Sequence, residues 1–152
     1  MKKLLIALGI PLGVGGQATL LAGGMARYKS YVQPPLSPPG WVFPVVWTLL
    51  YLAMGYGSYR VVTRCQDSAK TRKALMVYGI QLGVNALWPI VFFRFEAFLP
   101  AFGVLAALWV LIVVTMFRFY KCEEKAGDLL VPYLLWVTFA GYLNLGVYLL
   151  NG

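Results

Sequence analysis

The sequence predicts an all-α membrane protein, a single domain (1–152) folded as a bundle of five transmembrane helices. Three observations predict it. The chain is 61% hydrophobic and only 12% charged, against about 45–50% and roughly 25% for an ordinary globular domain. The charges are segregated, leaving five uncharged stretches: Lys3 to Arg27, Lys29 to Arg60, Lys73 to Arg94, Glu96 to Arg118, and Asp128 to the C-terminus. Each stretch reaches the roughly 20 residues a helix needs to cross the hydrocarbon core.

The expected spans are 4–25, 41–59, 74–93, 97–117 and 129–150. Backbone polar groups cannot stay unpaired in lipid, so each span must be helical. A β-barrel would show short alternating segments instead of these continuous runs. The first span also carries leader-like features, Lys2-Lys3 and then Gly16-Gln17-Ala18. Its apolar run continues past that site to Met25, which favours a retained span.

The net charge of +8 would suggest nucleic acid in a soluble protein. Here it is read as topology, with no nucleic-acid partner. With five spans, one side holds Lys2, Lys3, Arg60, Arg64, Lys70, Arg72, Lys73, Arg118, Lys121 and Lys125, and the other holds Arg27, Lys29 and Arg94. Ten against three places the N-terminus in the cytoplasm and the C-terminus outside, in what is expected to be a bacterial cell membrane. Cys65 and Cys122 then lie in cytoplasmic loops and are expected to be reduced, independent thiols.

No metal site is expected, because two cysteines without histidine make a poor ligand set. The absence of histidine excludes an axial imidazole for haem iron. No acidic residue lies inside a span, which argues against a carboxylate proton relay. Function is therefore sought among aromatics, 16% of the chain. Trp41 opens the second span and fits an interfacial anchor, whereas Trp47 lies about 10 Å deeper at 1.5 Å per residue. Phe43, Trp47 and Tyr51 recur every fourth residue, with Met54 and Ser58 continuing that face: either helix packing or the wall of an aromatic pocket.

On the third span Gln81, Asn85, Trp88 and Phe92 cluster on one side, opposite Gly79 and Gly83. The amide face should point inward. The outward Gly79-x-x-x-Gly83 pattern permits close helix approach and is the expected homodimer interface, with Gly9 and Gly13 the competitor. Pro89 removes one backbone hydrogen bond and should bend the helix. On the fifth span Tyr133, Trp136, Ala140, Leu143 and Val147 share a face. The first outside loop carries four prolines in six residues, Pro34, Pro35, Pro38 and Pro39, and is expected to be stiff, as a lid or a rigid connector.

These residues also carry a resemblance. Pro38-Pro39-Gly40-Trp41 followed by Pro44 and Trp47, the segment from Tyr51 to Tyr59, the block from Asn85 to Phe93, and the block from Pro132 to Ala140 with Asn144 resemble the TspO/translocator-protein family over about 28–151. The resemblance implies a bundle, often dimeric, that binds tetrapyrroles such as protoporphyrin IX, and in mammals cholesterol, under the first loop. By position, the ligand-binding residues would be Tyr28, Trp47, Tyr51, Asn85, Trp88, Trp136, Ala140 and Leu143. Trp47 and Trp136 would be the catalytic pair if the protein degrades porphyrin in light. No metal or other cofactor is required.

The chain departs from the family at Leu36, where a tryptophan is usual. It also lacks a basic residue following Tyr142 or Tyr148, which the sterol pattern needs. The resulting order of expectation is a tetrapyrrole-binding sensor or regulator, then a light-dependent porphyrin-degrading enzyme, then a transporter of porphyrin or sterol-like ligands. Transport ranks last because five spans cannot divide into two equal repeats.

Overall fold

The computed structural model describes residues 2–22, 34–39 and 41–151, with the backbone alone for 18–22. The described residues form five long helices, a π-helical turn and one short helix: α1 (Lys2–Ala22), α2 (Val42–Arg64), α3 (Ser68–Pro89), the turn Ile90–Arg94, α4 (Phe98–Cys122), α5 (Glu124–Asp128) and α6 (Val131–Asn151). No strand occurs among them. Four spans, Val42–Arg64, Ser68–Arg94, Phe98–Cys122 and Glu124–Asn151, are long and apolar enough to cross a membrane. The fold is that of an integral membrane protein with helical spans, packed around a core of Met54, Leu105, Leu108, Ile112, Phe119 and Val137.

The helices outrun their apolar stretches. α2 continues through Arg60 to Arg64, and α3 begins at Ser68. Hydropathy marks where a helix leaves the lipid, not where it ends, and Lys and Arg are good helix formers. The basic second loop therefore shrinks to 65–67. Asp67 caps α3, its Oδ1 accepting from the backbone N–H groups of Ala69 at 2.9 Å and Lys70 at 3.2 Å.

At Pro89, where a bend is expected, α3 ends and a π-helical turn takes over. Pro89 has no N–H for the Asn85 carbonyl, and the chain widens into the π-helical turn. The Phe95 N–H donates to Ile90 O at 3.2 Å and the Ala97 N–H to Val91 O at 3.1 Å. The wide turn lets two consecutive residues, Phe92 and Phe93, both be buried.

Close crossings fall at glycines. A Cβ on Gly55 would stand 2.6 Å from the Ala7 carbonyl oxygen, so α1 and α2 touch backbone to backbone there. A Cβ on Gly15 would collide with the Tyr51 ring.

The two cysteines correct the expectation of independent thiols. Cys65 and Cys122 form a disulfide with Cα atoms 4.8 Å apart. The physical reason is topological: the even-numbered loops open on the same end of the bundle, and the ends of α2 and α4 converge there. Arg60, counted above as a topology charge, is also buried. It pairs with Glu123 and donates from Nη1 to the Tyr56 hydroxyl at 3.1 Å.

Gly55→Ala should cost about 1–3 kcal/mol by overpacking the α1–α2 crossing. Gly79→Ala, where nothing lies within 4 Å, should stay within about 0.5 kcal/mol. Thermal unfolding in detergent compares the two; equal losses would mean that the crossing is not tight.

Candidate functional site

The aromatic stripe of α2 faces inward, with Phe43, Met54 and Ser58 buried and Trp47 and Tyr51 half-buried. The matching face of α6 does the same, with Tyr133, Ala140, Leu143 and Val147 buried. The backbones of α2 and α6 scarcely approach each other; their side chains fill the gap. Trp136 meets Phe43 edge-on at 5.7 Å between ring centroids and Trp47 at 6.5 Å, while Trp47 meets Tyr133 at 6.2 Å and stacks on Tyr51 at 5.6 Å.

The polar face of α3 turns toward the same gap. The Tyr51 hydroxyl donates to Asn85 Oδ1 at 2.8 Å, Asn85 Nδ2 donates to the Tyr133 hydroxyl at 2.6 Å, and that hydroxyl donates to Gln81 Oε1 at 2.8 Å. One relay thus joins α2, α3 and α6. A second joins α3 to α6 and the start of α4: Trp88 Nε1 donates to Asn144 Oδ1 at 2.8 Å, and Asn144 Nδ2 to Phe98 O at 2.8 Å. Trp136 Nε1 is a buried donor with no partner among the described residues.

Two cavities flank this centre. One, about 90 Å³, is lined in part by Gly15, Pro44, Trp47, Tyr51 and Asn85. The other, about 20 Å³, is lined in part by Ser37, Phe92, Ala140, Leu143 and Asn144. Phe43, Trp88 and Phe93 border both. Ligand pockets usually enclose roughly 300–1,000 Å³. A large ligand would have to displace this shared aromatic wall and join the two cavities.

Of the sequence-predicted residues, Trp47, Tyr51, Asn85 and Trp88 line the first cavity, and Trp88, Ala140 and Leu143 the second. Trp136 packs behind, against Phe43 and Trp47. Tyr28 lies outside the described residues. Phe43 and Tyr133 lie on the expected helix faces, and the structure adds them to the site. Gly15 and Ser37 escape sequence reasoning: neither carries a periodic signal, and both matter through the side chains they leave room for or approach.

The first loop is seated over α6 in its described part. The Pro34 ring occupies the space that a Cβ on Gly146 would need. The Tyr142 hydroxyl donates to Pro35 O at 2.6 Å and Ser37 Oγ to Pro34 O at 2.7 Å. Leu36, at the tip, has φ 71° and is 83% exposed.

Gly79 and Gly83 are exposed on the outer side of α3, and a Cβ added at either would meet nothing within 4 Å. Gly9 and Gly13 on α1 share both properties.

Asn85→Leu should leave the Tyr51 hydroxyl without an acceptor and cost about 1–3 kcal/mol. Adding Tyr51→Phe removes that orphan, so the double variant should recover part of the loss, with a coupling of about 0.5–3 kcal/mol. Strict additivity in thermal unfolding would show that the relay is not an energetic unit.

This geometry agrees with the comparisons to known proteins. The family model described as TspO/MBR family matches residues 4–150. The tryptophan-rich protein TspO of Chlorobaculum tepidum is 35% identical over 97% of this chain and 95% of its own length. The tryptophan-rich sensory protein of Cereibacter sphaeroides is 38% identical over 82% and 76%. The translocator protein of Bos taurus is 35% identical over 80% and 72%. A match running from α1 to α6, with tryptophans and amides converging between α2, α3 and α6, leaves one conclusion: the chain belongs to the TspO/MBR family.

Proposed function

We propose that this protein binds a tetrapyrrole such as protoporphyrin IX between α2, α3 and α6 and acts as a membrane sensor or regulator of tetrapyrrole metabolism. The observation that carries the proposal is the aromatic wall of Phe43, Trp47, Trp88 and Trp136 set beside the Asn85 relay. Flat conjugated rings stack on indoles and phenyls. Trp136 Nε1, a buried donor without a partner among the described residues, would be open to an acceptor on a ligand that displaces the shared wall. The name of the Cereibacter sphaeroides relative, a sensory protein, supports the regulatory reading.

Titration of the purified protein with protoporphyrin IX in the dark should show saturable binding. Trp47→Ala or Trp136→Ala should weaken it about 2- to 12-fold, the equivalent of about 0.5–1.5 kcal/mol per aromatic pair. Unchanged binding in a folded double variant would reject the site. The same titration under illumination tests the enzymatic reading, in which the two indoles take part in porphyrin breakdown; wild-type bleaching that the double variant loses would favour it.

The same reading includes a dimer and an orientation. The open glycine strip of α3 permits close contact with a second copy. Gly79→Leu with Gly83→Leu should yield monomers by light scattering in detergent and still bind porphyrin; a surviving dimer moves the interface to Gly9 and Gly13. A reporter fused after residue 152 should be active outside the cytoplasm only, and activity inside would reverse the topology.

A further inference from the structure

We propose that Cys65 and Cys122 are a reversible dithiol/disulfide couple, a redox site at the opposite end of α2 from the aromatic cavities, whose reaction partners are thiol and disulfide compounds. The bond joins the first residue beyond α2 to the last residue of α4, across 57 positions of chain. The Cα separation of 4.8 Å lies within the ordinary disulfide range of about 4.4–6.8 Å, so the bond forms without moving the backbone.

Three features distinguish it from a structural staple. First, it is accessible. Both cysteines are only half-buried. Cys65 borders two open clefts, one walled by Thr63, Arg64, Gln66 and Lys125 and the other by Val62, Thr71 and Arg72. A small disulfide can therefore reach its sulfur from either side. Second, one of the two approaches is cationic. The first cleft sets Arg60, Arg64 and Lys125 against Glu123, Glu124 and Asp128, whereas Arg72 is the charged residue lining the second, and a neighbouring cation favours the thiolate, the reactive form.

Third, the two helix ends are held together by something other than the sulfurs. Arg60 on α2 pairs with Glu123, the residue after Cys122, and Arg64 Nε stands 3.5 Å from the other oxygen of Glu123. Gly57 brings α2 against α5, where a Cβ would lie 3.3 Å from Ala126 O. Reduction breaks one link among several. The thiols stay adjacent and can close again, since a pair held in place reacts at high effective concentration.

The chemistry balances with a disulfide as oxidant. The Cys65 thiolate attacks one sulfur of the incoming disulfide and expels a thiolate, giving a mixed disulfide. The Cys122 thiolate then attacks Cys65 Sγ and expels the second thiolate. Two cysteine thiols lose two electrons and two protons, and one external disulfide becomes two thiols. If this end faces the cytoplasm, as proposed above, the resting state is the dithiol, and the bond records an oxidising episode.

The test uses the full chain in detergent, with no tetrapyrrole present, so the outcome is independent of the binding proposal. Samples equilibrated with graded mixtures of reduced and oxidised glutathione are quenched in acid, alkylated with N-ethylmaleimide under denaturing conditions and weighed intact. The expected result is a single two-electron transition from two adducts to none, the same from either direction, with helix content unchanged by circular dichroism. Cys122→Ser should instead trap a glutathione adduct on Cys65. A pair that stays wholly dithiol or wholly disulfide across the glutathione range would overturn the proposal. So would a reduced protein that loses its helices, which would make the bond a staple. The Cys65→Ala with Cys122→Ala variant checks this independently: it should keep the wild-type helix content, and its unfolding would likewise overturn the proposal.

Discussion

Asn85 is the residue on which the architecture turns. An amide in an apolar medium must find partners, and one left unpaired costs about 1–3 kcal/mol. Asn85 finds them on two other helices at once, accepting from Tyr51 on α2 and donating to Tyr133 on α6. Apolar packing alone does not fix a helix's rotation in lipid, because hydrocarbon tails are as apolar as leucine. The relay fixes it. Once the Asn85 face of α3 turns inward, Trp88 falls within reach of Asn144. The glycine strip is then left on the outside.

The same constraint shapes the candidate site. The relay holds α2 and α6 at a distance that only aromatic rings span, so the space between them is filled by Phe43, Trp47 and Trp136 and not by backbone contact. The two small cavities are the remainder of that filling. Their common wall of Phe43, Trp88 and Phe93 is built from side chains, which can rotate, while the helices behind it are tied by hydrogen bonds. Adaptability and rigidity are thus divided between side chain and scaffold.

Much of this was legible in the sequence because periodicity speaks directly about faces. Phe43, Trp47 and Tyr51 recur every fourth residue, and that face is inward. Gln81, Asn85 and Trp88 share one side of α3, and that side is buried. Periodicity is silent about what lies across from a face, so it could not join Cys65 to Cys122 or Arg60 to Glu123; both pairs depend on how two loop ends converge. It could not find α5 either, five residues in a polar stretch too short to show a period. Nor could it show that Gly146 is a seat for Pro34, because a glycine in a helix looks the same whether it meets lipid, a second helix or a loop.

The π-helical turn after Pro89 has a consequence for how this protein tolerates change. Its closing hydrogen bonds run from Phe95 back five residues and from Ala97 back six, a stepwise unwinding of the main chain, and Ala97 offers α4 no side-chain cap. The geometry is therefore stored in the number of residues between Pro89 and Phe98 and in the left-handed backbone of Glu96, φ 51°. Removing a single residue would draw the wide turn into an α-helical one and rotate Phe92 and Phe93 apart. Here the informative variable is length.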